Sequence, residues 1–432
     1  MKKKVFLIGL NLYSIFLSLK IKSDFKNLEV TILEGSNNFL QAYKHLKIED
    51  YFVNPGFHAF EDVRSKSLLN VLKKNIRFKK LKKTRGMIID NFLISCQDEY
   101  LNWPKELIKK FKLKKNTIIY SHKKNKNTKN LDKNFIKYLK ESFSDYRTSS
   151  DNAIGLTYPW FFPPNYKLNS KDEASIFNQK IRDKKINHAY VFPKRGQFED
   201  ISKGLHKLLK QKNINIKLKT PVKFLKQKKN IHFEGFEELN DSKNIKIICI
   251  PIKPLSMSVV DNKIQKTKKL KSIKYFTGLV EVKNFIKSDL DKFTEIITAS
   301  KAALGLKRIS LYSDVFEVGK KKIYQIEFVE HLNIPNIKTQ IKNILSLMSK
   351  FIKFKNEKNL KDNINLIGYH FVRNIFGPKE KDLKFIKKKM ISFFDKKKGV
   401  IFPRQILWPI NTNKHFIYAA EDYRKKIKNK LK

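Results

Sequence analysis

Apolar residues run unbroken from Val5 to Ile8, the chain turns at Gly9, and apolar positions resume from about Leu12 to Ile21 at helical spacing. A second short apolar run, Val30 to Leu33, stops at Glu34. This pattern predicts a buried strand, a helix and a second buried strand, a β-α-β beginning. Further along, Phe52 to Phe60 is an apolar stretch broken by Asn54-Pro55-Gly56 and carrying His58. Tyr190 to Leu209 reads as a short strand, a turn at Pro193-Lys194-Arg195-Gly196, and an amphipathic helix with Ile201, Leu205, Leu208 and Leu209 on its apolar side. A strand at Ile214 to Leu218, the segment Thr220-Pro221-Val222, a hairpin-like stretch and a continuous apolar strand at Ile245 to Ile250 follow, the last stopped by Pro251 and Pro254. No stretch of about twenty clean apolar residues occurs, so no transmembrane helix is expected. The basic start at Lys2 to Lys4 is not expected to open a signal peptide: Asn11, Tyr13, Ser14 and Ser18 interrupt the apolar run, and no small-x-small site follows.

The chain has 432 residues, enough for one large domain or two to three ordinary ones. With 41% hydrophobic residues and 34 Phe it is too apolar for a disordered polycation. Its 93 Lys plus Arg against 40 Asp plus Glu give a formal charge of +53. Ten of the basic residues are Arg, widely scattered, and no helix-turn-helix, zinc-finger or RNA-recognition signature accompanies them, so no specific nucleic-acid partner is expected. The lysine excess reads chiefly as surface composition, with contact to a membrane surface left open. It would also draw in an anionic small molecule. Two cysteines, Cys96 and Cys249, cannot build a disulfide framework or a cysteine-based zinc site. They suit a reducing compartment, and the expected location is cytoplasmic. There is no G-x-S-x-G elbow, Walker loop, H-E-x-x-H or Cys-x-x-Cys.

The β-α-β beginning has a chemical use. A strand that turns into a helix gathers free backbone N–H groups and the positive end of the helix dipole at one point, where a pyrophosphate can sit. An acid at the end of the second strand can accept from an adenosine ribose, and Glu34 follows Gly9 by 34 − 9 = 25 residues, close to the usual separation. Where the glycines of G-x-G-x-x-G would stand, this chain has Gly9, Asn11 and Ser14.

The order of these elements resembles the flavoprotein superfamily of FAD-dependent amine oxidases, protoporphyrinogen oxidase, phytoene desaturase and UDP-galactopyranose mutase. The resemblance implies an α/β (α+β) chain: a Rossmann-like FAD-binding domain with an inserted sheet-and-helix substrate domain. It would assign about 1–70, 188–255 and 395–432 to a discontinuous FAD domain, and 71–187 and 256–394 to the substrate region. The cofactor would be FAD, held through Gly9, Asn11, Ser14, Glu34, Gly56, Gly196, Val222 and Asp422. Asn54-Pro55-Gly56-Phe57-His58 is similar to the family's Gly-x-His segment near the isoalloxazine. Pro193-Lys194-Arg195-Gly196 is similar to its Pro-x-Gly-Gly turn, and Thr220-Pro221-Val222 to the segment near the adenine. Phe416 to Tyr423 looks like the family's last strand, with Asp422 as its terminal acid. His58, Tyr369 and Arg373 are the catalytic candidates, with Arg404, Trp103-Pro104 and Tyr158 to Pro164 as further pocket candidates. The implied activity is hydride transfer from a small-molecule substrate. Two alternatives stay open, a sugar-mutase-like enzyme and a binding protein that keeps the fold without the cofactor; a polyanion-binding protein ranks behind them. The chain departs from the family pattern at two of the three dinucleotide glycines, at the Gly-Gly pair after Glu34 and at the Gly before the last acid. The helix that the resemblance expects after that acid is reduced to Arg424 to Lys432.

Overall fold

The computed structural model describes residues 4–95, 104–110, 189–250, 259–260, 272–376, 388, 392–394, 399–402 and 412–431, less short gaps that include 56–58. In chain order the principal elements are β1 (Lys4–Ile8), α1 (Leu12–Asp24), β2 (Glu29–Leu33), β3 (Arg85–Ile89), β4 (Phe92–Ser95), β5 (Ala189–Pro193), α2 (Glu199–Gln211), β6 (Ile214–Lys217) and β7 (Ile245–Ile248). They continue with β8 (Ser272–Val282), β9 (Glu295–Ala299), β10 (Leu306–Leu311), β11 (Lys322–Val329), α3 (Ile337–Ser349), β12 (Ile364–Phe376), β13 (Val400–Ile401) and α4 (Thr412–Asp422).

Two sheets organise the molecule. The first is five-stranded and parallel, in the order β6-β2-β1-β7-β13. Its central strands are apolar on both faces because both are covered. Val5, Leu7, Val30 and Ile32 pack with α1 and α2 in one core, whereas Phe6, Ile8, Leu33 and Ile248 pack with Phe224, Phe233 and Phe394 in another. The second sheet has seven strands, β12-β8-β11-β10-β9-β3-β4, antiparallel except for the β9/β3 pair. One of its faces, with Phe276, Val280, Ile309, Ile326 and Phe328, is closed by Ile341, Ile344 and Leu347 of α3. Strand β5 pairs instead with Phe60–Glu61 and Phe78–Lys82 in a small antiparallel sheet between the two large ones.

The carboxyl-terminal segment differs from the sequence expectation. Phe416 to Tyr423 is not a strand: it belongs to α4, continued by a π turn at Tyr423–Ile427 and a last turn at Lys428–Leu431. The last strand of the parallel sheet is β13, twelve residues upstream of α4's first residue if counted from Val400. A short run rich in aromatic and β-branched residues suits either element, and spacing decides. Ala419, Tyr423 and Ile427 are buried at helical intervals while Ile417 is exposed. Helix α4 lies along α1, where the Phe16 and Phe416 rings meet edge to face at 5.2 Å. Among the described residues no helix is long and apolar enough to cross a membrane.

Candidate functional site

The carboxyl ends of β2, β1 and β7 bring Glu34, Gly9 and Cys249 together. Gly9 has φ +103°, and a Cβ there would stand 2.8 Å from Ile250 Cγ1 and 3.0 Å from Ile250 N. Glycine is required because the turn after β1 passes directly against the end of β7 in a left-handed conformation. The Gly9 N–H donates to Leu33 O at 2.8 Å and the Cys249 N–H to Ile8 O at 2.7 Å, tying the turn to both neighbouring strands.

Glu34 points back into this turn. Its Oε2 accepts from the Leu10 N–H at 2.8 Å and its Oε1 from the Ser36 N–H at 2.8 Å. Each carboxylate oxygen keeps lone pairs beyond the one used, so the acid is fixed in place and can still accept hydroxyl donors. The segment Lys219 to Val222 crosses the end of β2: the Thr220 N–H donates to Glu34 O at 2.8 Å and the Lys219 N–H to Ser36 O at 2.9 Å. Val222 is buried beneath it with Leu33 and Ile248.

Asn11 caps α1. Its Oδ1 accepts from the Ser14 N–H at 3.0 Å, and its own N–H donates to Ser14 Oγ at 3.0 Å, a reciprocal capping box. Its Nδ2 donates to Cys249 O at 2.6 Å. In this turn the N–H groups of Gly9, Leu10, Asn11 and Ser14 are therefore all engaged, leaving those of Leu12 and Tyr13 without a protein acceptor among the described residues. Just inside, the Tyr13 hydroxyl donates to Asp422 Oδ2 at 3.0 Å. Burial, with Cys249 and Asp422 nearby, holds the Tyr13 phenol well above its ordinary value. Burial and then Asp422 do the same for the Cys249 thiol. Asp422 thus sits at the end of α4 against α1, and the strand register that made it the family's terminal acid is replaced by a helix.

A second convergence lies between the two sheets. The residue beside the expected Gly-x-His segment, Asn54, is buried and bridges three pieces of chain. It donates to Gly196 O at 3.0 Å, accepts from the Phe198 N–H at 3.0 Å, and its carbonyl accepts from Gln325 Nε2 at 3.0 Å. Gly196, at φ +78°, would place a Cβ 2.4 Å from Val315 O, so its glycine serves a close approach of chain segments. Gln325 also donates to Thr277 on the face of the seven-stranded sheet opposite α3. That face is polar and buried. Arg308 of β10 pairs with Glu295 of β9 at 3.3 Å and Glu327 of β11 at 3.0 Å, while the Tyr190 and Tyr275 hydroxyls donate to the two carboxylates. All three charged side chains are nearly inaccessible.

The expected catalytic residues are not brought together by what is described. Tyr369 and Arg373 both lie on β12, but Tyr369 is paired with Gly278 and packs on Phe276 and Phe328, on the α3 side of the sheet, 43% exposed. Arg373 is opposite Tyr275, beyond a register shift in the pairing with β8. Gly56 and His58 lie outside the described residues, as do Arg404, Trp103 and Tyr158 to Pro164. Sequence reading missed Asn54 as a clamp, and it missed Glu295, Arg308, Gln325 and Glu327. The available signal was the alternation Tyr324-Gln325-Ile326-Glu327-Phe328, which ordinarily marks a strand with one wet face.

No known family profile and no curated protein matches the sequence. Solved structures do match. A reduced UDP-galactopyranose mutase aligns at TM-score 0.66 and 11% identity, over 98% of this chain and 95% of that one. An Exiguobacterium protein assigned as a protoporphyrinogen oxidase aligns at 0.59 and 9%, over 100% and 99%. A putrescine oxidase with redesigned cofactor binding aligns at 0.57 and 8%, over 100% and 99%. The chain has the fold of the amine-oxidase-like flavoproteins. The alignments extend over 98–100% of this chain.

The residues at the β1-α1-β2 crossing fit the ADP half of such a cofactor in three respects: the positive-φ glycine, the two N–H groups without acceptors at the α1 amino terminus, and the fixed Glu34 carboxylate. Asn11, in place of a glycine, sets a side chain across this crossing, from the α1 amino terminus to Cys249 O.

Proposed function

We propose that the protein is an amine-oxidase-type flavoprotein, an oxidoreductase that holds FAD across the carboxyl ends of β1, β2 and β7 and acts on a small-molecule substrate. The observation that carries this reading is the Glu34 carboxylate fixed against the Gly9 turn by the Leu10 N–H. In that position it would accept the ribose hydroxyls, and the Leu12 and Tyr13 N–H groups would hold the pyrophosphate at the positive end of α1. When bound, the flavin supplies hydride acceptance; the protein supplies position, a field and exclusion of water. By the resemblance, the backbone at Val222 would lie against the adenine. Gly56 and His58 would lie toward the reacting end on the strength of the resemblance, and Arg373 would hold an anionic group of the substrate. The buried polar face around Gln325 and Glu327 is joined to the Asn54 turn by a hydrogen bond.

The visible spectrum of freshly purified protein tests the reading. Two flavin bands, or their appearance with quenched flavin fluorescence after incubation with FAD, are expected. A colourless protein that leaves added FAD unaltered overturns it. A yellow protein that interconverts a nucleotide sugar without consuming an electron acceptor would keep the cofactor and replace the oxidoreductase activity by the mutase-like one.

A further inference from the structure

Asn11 occupies the position at which a dinucleotide-binding turn carries its second glycine, the one that lets the pyrophosphate approach the backbone. Its own backbone, at φ −157° and ψ 177°, is ordinary extended chain, so the turn itself does not ask for glycine here. What glycine would supply is space, and the Asn11 side chain takes it. The amide reaches from the α1 amino terminus to Cys249 O at the end of β7, while its oxygen occupies the Ser14 N–H that an anion at this helix end would otherwise share. Nor can the chain yield room underneath, because Gly9 already lies against Ile250.

We propose that Asn11 is an intramolecular latch: its side chain spans the pyrophosphate crossing between α1 and β7 and must leave Cys249 before the ADP moiety seats fully, so the protein holds its cofactor weakly and exchanges it. The proposal rests on the FAD reading given above. Opening the latch exchanges an N-cap and one hydrogen bond for contacts to phosphate, and removing the side chain should tighten ADP binding about tenfold.

Calorimetric titration of ADP, and fluorescence titration of FAD, into the wild-type chain, Asn11→Ser and Asn11→Gly decides the matter. Serine keeps the cap and is too short to reach Cys249 O, so it separates the cap from the span and stands in if the glycine variant folds poorly. Both variants are expected to bind ADP more tightly than wild type, Asn11→Gly by about tenfold and Asn11→Ser by less, with the same order for FAD. Equal or weaker ADP binding by Asn11→Ser, with the wild type binding, overturns the latch and leaves the cofactor reading standing. Failure of all three folded proteins to bind either ADP or FAD overturns the cofactor reading, and the latch with it.

Discussion

Gly9 shows how a single residue can be tied to the fold in two ways. A side chain there meets both an unfavourable positive φ and the backbone of Ile250, whereas Gly319, also at positive φ, has nothing within 4 Å of its added Cβ. Gly9→Ala is therefore expected to cost about 2–4 kcal/mol, and Gly319→Ala only about 1 kcal/mol, measured as shifts of the urea midpoint. Glu34 is a residue of the other kind, fixed by two backbone N–H groups and, in the function proposed above, the acceptor of the ribose hydroxyls. Glu34→Gln keeps the size but removes the charge that strengthens its hydrogen bonds. The expected outcome is ADP binding weakened about tenfold with the unfolding midpoint lowered only slightly, read by calorimetry and by urea titration.

At the scale of elements, the contact of α1 with α4 and β7 buries three ionisable groups in one place. The Tyr13 phenol and the Cys249 thiol have folded values raised above their ordinary ones of 10.0 and 9.0. In both cases the folded state keeps a proton that the unfolded state gives up. Stability is then fully present below about pH 9 and declines as pH rises beyond it. A falling urea midpoint between pH 8.5 and 10.5 is expected, with a shallower fall in Cys249→Ala; equal slopes would count against this assignment. The polar face of the large sheet works through pairing. Arg308→Met leaves Glu295 and Glu327 facing each other in a buried site, and a loss of about 3–5 kcal/mol follows from removing one member of such a cluster. Alternation in β11 was legible as a two-faced strand. That the polar face would be buried was not, because Tyr190 and Asn54, which cover or reach it, come from strands and turns more than a hundred residues away.

For the whole molecule the charge of +53 is a destabilising self-repulsion as much as a field for anions. Raising NaCl from about 10 to 300 mM shortens the Debye length from about 30 Å to under 10 Å, so the melting temperature is expected to rise with salt, measurable by differential scanning fluorimetry. A fall would mean that exposed ion pairs such as Lys428–Asp24 outweigh the repulsion. The β-α-β beginning, α2, β6 and β7 were readable from the chain because each is local: an unbroken apolar run buried on both faces, or an amphipathic repeat, dictates its own element. Gly9 and Glu34 were readable for the same reason, since their spacing follows from the length of one helix and one strand. The carboxyl-terminal helix was misread as a strand because a short aromatic run fits both periods, and burial against α1 decided between them. Only tertiary structure could reveal that Asn11 spends its amide on Cys249, 238 residues away, and that Gly196 serves the approach of Val315. Those contacts depend on which distant strand ends meet, and no local pattern of hydrophobic and polar residues records that.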